Sequence, residues 1–115
     1  MDEIRRRGME SITKEIIEHS RQRNLRIHAS FDLDWHDSSL IQGVGTPVAD
    51  GGTVEDSRIS LELLNQSGLL YSFDIVEVSP PNDDAEGTTV RTAAQMAVTA
   101  LKPKLRLPES DKRDR

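Results

Sequence analysis

Two acids stand two residues apart near the end of an alternating stretch, Asp32 and Asp34 in Ser30-Phe31-Asp32-Leu33-Asp34, and they are the first residues here that could do chemistry. On an extended backbone, positions i and i+2 project to the same side. Carboxylates held that close repel unless something positive sits between them. Their oxygens suit one hard cation, or two that they bridge. A lone D-x-D pair also describes two solvated acids at a strand end. Glu77, near the end of a second apolar run, is a third acid in a comparable place. Of the three histidines, His19 lies on a helical stretch and reads as a surface residue, while His28 shares the alternating face of Asp32. If the strand ran on to residue 36, His36 would line up with Asp32 and Asp34, and a mononuclear hydrolase built on those three side chains is one reading.

The elements that must position these residues follow from periodicity. Ile4, Met9, Ile12, Ile16 and Ile17 give residues 2–22 an amphipathic helical pattern, weakened at Gly8. Residues 25–33 alternate (Leu25, Ile27, Ala29, Phe31, Leu33) and predict a strand with one apolar face. Residues 35–52, rich in glycine, read as a long loop, and loops of that length are usually functional or disordered. Thr53 and Asp56 approximate a capping box for a helix to about Gln66, with Ile59, Leu61, Leu63 and Leu64 on its apolar face and Ser67-Gly68 ending it. Residues 69–78 are nearly continuous in apolar character, as in a strand buried on both faces, and Pro80-Pro81 stop it. Residues 88–101 predict a last helix, closed by Pro103. Helix, strand, helix, strand, helix is an α/β pattern with two parallel strands and a right-handed crossover. Ligands bind such sheets at the strands' C-terminal ends, where Asp32, Asp34 and Glu77 fall.

Composition narrows the class. Hydrophobic residues make up 35% of the 115 and charged residues 30%, and only Phe31, Trp35, Tyr71 and Phe73 are aromatic. One thinly packed domain, residues 1–101, is expected, stable mainly when packed against something else. Residues 102–115 hold six Lys or Arg against three acids and read as a charged, mobile tail; with a net charge of −5, the body is then −8. An acidic body argues against nucleic-acid binding. Without cysteine there is no disulfide framework and no thiolate metal site. No apolar run is long enough to span a membrane, and the charged N-terminus lacks a signal core, so a cytoplasmic protein is expected.

Motif order adds a resemblance. Ser30-Phe31-Asp32-Leu33-Asp34 with Asp37, then Gly45-Thr46-Pro47-Val48 and Gly51-Gly52, then Asp74-Ile75-Val76-Glu77-Val78-Ser79-Pro80, resemble the ureohydrolase family of arginases, agmatinases and formiminoglutamases over residues 26–101. The resemblance implies the C-terminal portion of an arginase-like fold, a partial three-layer parallel sheet with flanking helices. It implies binuclear manganese, with Asp32 as the bridging carboxylate and Asp34 as a ligand of one ion. Glu77 matches the acid that pairs with a guanidinium substrate, Thr46 a residue of the substrate-pocket loop, and Asp37 a structural acid. His28 matches a structural position, and the family places a turn where His36 stands. The reaction implied is hydrolysis of a guanidino or formimino group.

The chain also departs from that pattern. Trp35 stands where a small residue is usual, Ser38 and Gln42 replace prolines, Ala49-Asp50 adds a residue, Glu55-Asp56 replaces Arg-Glu, and Ser79 replaces Asn. The family's upstream histidine and D-x-H-x-D motif are not in this sequence, so the manganese site is incomplete. Two readings follow. Either the chain is part of an amidine hydrolase whose site is completed by a missing N-terminal half, or it is a non-catalytic paralogue that acts as an interaction or assembly module. Its expected partners are that half or further copies of itself in a homo-oligomer.

Overall fold

The computed structural model describes residues 1–103, and most of the charged tail expected at 102–115 lies outside the described residues. The elements run α1 (Asp2–Arg7), α2 (Met9–Gln22), β1 (Ile27–Asp32), α3 (Val54–Ser67), β2 (Leu70–Val76) and α4 (Thr88–Leu101), with 3-10 turns at Leu33–Trp35 and Pro80–Asn82. The expected single helix over 2–22 is two, because Gly8 takes φ 82° and ψ 146°, a conformation closed to most side chains. Arg7 bonds Glu3 within α1 and reaches Glu15 of α2 across that break. The buried residues of α2 are Thr13, Ile17 and Ser20, whereas Ile16 is 49% exposed.

β1 and β2 pair in parallel, Ala29 beside Phe73, Phe31 beside Ile75 and Asp32 beside Val76. The face carrying Phe31 and Phe73 meets the helices. There Ile17, Phe31, Leu33, Leu61, Leu64, Ala93, Met96 and Ala100 form the core, with α3 packed between α2 and α4. β2 is not covered on both faces as its apolar run suggests. Tyr71 is 69% exposed, and the outer face is a polar ladder: His28 Nδ1 to Ser72 Oγ at 2.7 Å and Ser30 Oγ donating to Asp74 at 2.6 Å. Alternation within Ser72-Phe73-Asp74-Ile75 is the one-sided signal that the hydrophobic total obscures.

Helix bounds follow local chemistry. Thr53 Oγ1 accepts from the Asp56 N–H and Asp56 accepts from the Thr53 N–H, a complete capping box, and Gly68 at φ 75° ends α3. The first amides of α4 donate to acids that precede it, Thr88 to Asp84 and Thr89 and Val90 to Asp83. At the other end of α4, Lys102 belongs to the packed body: Asn65 donates to its carbonyl at 2.8 Å, and its ammonium meets Glu62 at 3.1 Å. The 35–52 loop is packed down. Asp37 N–H donates to Gly52 O and Ser38 N–H to Val48 O, while Ile41 and Val44 are 1% and 2% exposed inside the core. Its Gly43 lies against Thr89 and Asp83, where a Cβ would collide.

Candidate metal and substrate site

β1 ends because of Asp32. Its Oδ1 accepts the Asp34 N–H at 3.0 Å, and the chain turns into a 3-10 helix instead of extending to Leu33. Leu33, read as the last strand residue, is fully buried within that turn. The bend keeps the two carboxyls together although they no longer alternate along a strand. Contact with the Asp32 carboxyl, then burial, then the charges of Asp32 and Glu77 push the Asp34 carboxyl up to about 6. The three acids therefore share one electrostatic environment at the C-terminal end of the sheet.

Glu77 follows the last residue of β2 and sits at φ 67°, in the left-handed region that costs a non-glycine residue about 1 kcal/mol. Its side chain is exposed. Thr46 is exposed on the outer bend of the loop between buried Val44 and half-closed Gly51. Asp37 staples that loop, accepting from the backbone N–H groups of Ser39 at 3.0 Å and Gly51 at 3.3 Å.

His36 does not join the acids. It is 1% exposed and points into the protein. Its Nδ1 lies 2.9 Å from the Leu33 carbonyl and its Nε2 2.7 Å from Ser57 Oγ, so both ring nitrogens are taken by protein partners. Burial holds its pKa below the usual imidazole range, with the Leu33 bond and the Asp32 and Asp56 charges working against that. A strand through residue 36 would have put it beside Asp34; the turn at Leu33–Trp35 turns it inward. His28 is held in the ladder on the outer face, 3.3 Å from Asp74. Sequence reasoning missed Ser57, a 2% exposed hydroxyl that also accepts the Trp35 indole N–H at 3.0 Å. The signal was there: Ser57 stands four and seven positions before Leu61 and Leu64, on the buried stripe of α3.

The donor set fits part of a cation site. Two mutually repelling carboxylates offer oxygen ligands to a hard divalent ion. Among the described residues, however, no group of three or more His, Cys, Asp or Glu gathers as a metal cage needs.

Both the sequence and the fold match known proteins. The family model described as "Arginase family" matches residues 1–102. An arginase of Bacillus caldovelox is 36% identical over 96 residues, which are 84% of this chain and 32% of that one. The solved structure of that species' arginase superposes with a TM-score of 0.82 at 33% identity, over 91% of this chain and 35% of the other. A formimidoylglutamase structure from Bacillus subtilis superposes with a TM-score of 0.80 at 29% identity, covering 88% of this chain and 31% of its own. The chain thus spans about a third of the length of the relatives it matches. With nearly all of its described residues inside one family match and one shared fold, this chain belongs to the arginase family.

Proposed function

We propose that the chain supplies the carboxylate part of the active site of a manganese-dependent amidine hydrolase acting on a guanidino or formimino substrate. The observation that carries this is the turn that closes the Asp34 N–H on Asp32 Oδ1 at 3.0 Å and sets the two carboxyls together, with the Asp34 pKa pushed up to about 6 and the Glu77 charge beside it. Such a pair gains most from a bound cation, which replaces repulsion with attraction to both partners. In this reading Asp32 and Asp34 are manganese ligands, Glu77 meets the cationic end of the substrate, and Thr46 lines its approach. Manganese, when bound, supplies a Lewis acid that makes water nucleophilic near neutral pH. The chain's own residues hold and orient: the Asp34 N–H fixes Asp32 Oδ1, and the left-handed turn at Glu77 sets the direction of its carboxylate. In this reading the remaining donors belong to the two thirds of the relatives' length that this sequence does not match. The setting proposed is the cytoplasm, in keeping with a cysteine-free acidic chain.

The test mixes this chain with the separately expressed N-terminal two thirds of an arginase-family protein and manganese(II), and measures urea from arginine or agmatine. Urea above a metal-only control, lost on Asp34→Asn, is the expected result. No urea from any mixture would defeat the proposal.

A second reading, docking without catalysis, is favoured by one observation. A cleft of about 280 Å³ is walled by four consecutive β1 residues, by Met9 of α2 and by Leu61 and Leu64 of α3, with no β2 residue among its walls. An extended segment from a full-length relative would fit such an edge. Size-exclusion chromatography with that relative decides: a chain that never co-elutes with it excludes docking.

A further inference from the structure

The Asp32–Asp34 turn is held from outside by a relay of three side chains. The Leu33 carbonyl can only accept, so His36 donates to it through Nδ1 at 2.9 Å, which leaves Nε2 as an acceptor. Ser57 therefore donates its hydroxyl proton to Nε2 at 2.7 Å, and its oxygen lone pair is left for the Trp35 indole N–H at 3.0 Å. Every donor in this relay has an acceptor. The ring of His36 is wedged edge-on against Phe31, centroids 5.7 Å apart, and tilted against Trp35 at 5.4 Å. The peptide that the relay grips lies between Asp32 and Asp34. Ser57 is the only member of the relay on α3, so it is the point where the helix takes hold of the turn.

We propose that Ser57 is a positioning residue: through His36 and Trp35 it fixes the turn that brings the Asp32 and Asp34 carboxyls together. The consequence for metal binding rests on the reading of those acids as manganese ligands; the positioning itself does not. Loss of the hydroxyl leaves His36 Nε2 and the indole N–H buried without partners, and the turn relaxes to find water for them. Residues that orient metal ligands in this way are typically worth 10- to 100-fold in affinity.

The experiment uses the full 115-residue chain. Two variants strip the relay, Ser57→Ala and Ser57→Cys, the second keeping nearly the same shape with a weak donor and acceptor. Thr13→Val is the control, because it removes a half-buried hydroxyl bond to Ser60 at 3.0 Å without touching the turn. Two quantities are read: hydrogen exchange of the Asp34 amide in the metal-free chain, and manganese(II) affinity by the paramagnetic resonance of free ion. Both Ser57 variants are expected to exchange the Asp34 amide faster and to bind manganese about tenfold more weakly. Thr13→Val is expected to lower thermal stability and leave both quantities alone. If Ser57→Ala does not fold, Ser57→Cys decides on the same readings. An Asp34 amide as protected in the Ser57 variants as in the parent overturns the positioning role. A parent chain that binds no manganese on its own leaves the Asp34 amide as the sole judge of Ser57: faster exchange in both variants upholds the positioning role and unchanged exchange overturns it.

Discussion

Asp34 puts a pH signature on the chain. Its carboxyl stands at about 6 when folded, against an ordinary value of 3.8, so the folded state holds a proton that the unfolded state has already released. That contribution is complete below about pH 4 and is lost as pH rises through about 6. Asp34→Asn imitates the protonated form and should raise stability over the parent more at pH 7.5 than at pH 4.5, as measured by urea denaturation at each pH. Manganese affinity should rise across the same interval, because proton and metal compete for one carboxylate. Glu77 makes a different kind of claim. Held at φ 67°, it stores about 1 kcal/mol that glycine would not, so Glu77→Gly should leave the chain as stable or more so while removing the charge proposed to meet a guanidinium. A clear loss of stability in that variant would mean the turn depends on the carboxylate itself.

Elements were legible where a local signal decides them. The capping box of Thr53 and Asp56, the left-handed Gly68 and the apolar period of α4 fixed both later helices to within a residue or so. Three features at and around the site were not legible, each because a side-chain contact and not periodicity decides it. The alternation Phe31-Asp32-Leu33 continues as if extended, but the Asp32 side chain captures the Asp34 amide and bends the backbone. Ile41 and Val44 sit in a glycine-rich stretch with no period, so nothing local marks them as core. The hydroxyl of Ser57 looks neutral until folding places Trp35 and His36 beside it. Of the candidate site, the acids came from their spacing at the strand ends and Thr46 from motif order; the relay behind them could only be seen in three dimensions. Two predictions belong to this scale. Asp83→Ala removes the acceptor for two α4 amides and should cost about 1–2 kcal/mol in chemical denaturation. Gly43→Ala drives a methyl into Thr89 and Asp83 and should cost about 1–3 kcal/mol, with the loop loosened in amide exchange.

The molecule as a whole is one layer of helices on a two-stranded parallel sheet whose other face is polar and open to solvent. Parallel sheets normally have both faces covered, and the chain matches about a third of its relatives' length. No helix among the described residues is long and apolar enough to cross a membrane. Trp35 is the single tryptophan of the sequence. Its ring lies over Gly52, where a side chain has no room, and its neighbours are Ser57 and His36. The intrinsic fluorescence of this chain is therefore emitted almost entirely from the place where the acidic turn and the 35–52 loop meet the edge of the core. Emission should shift red as that loop lifts, ahead of any loss of far-ultraviolet ellipticity. Light from one indole would then give the local free energy of the site, separately from that of the fold that carries it.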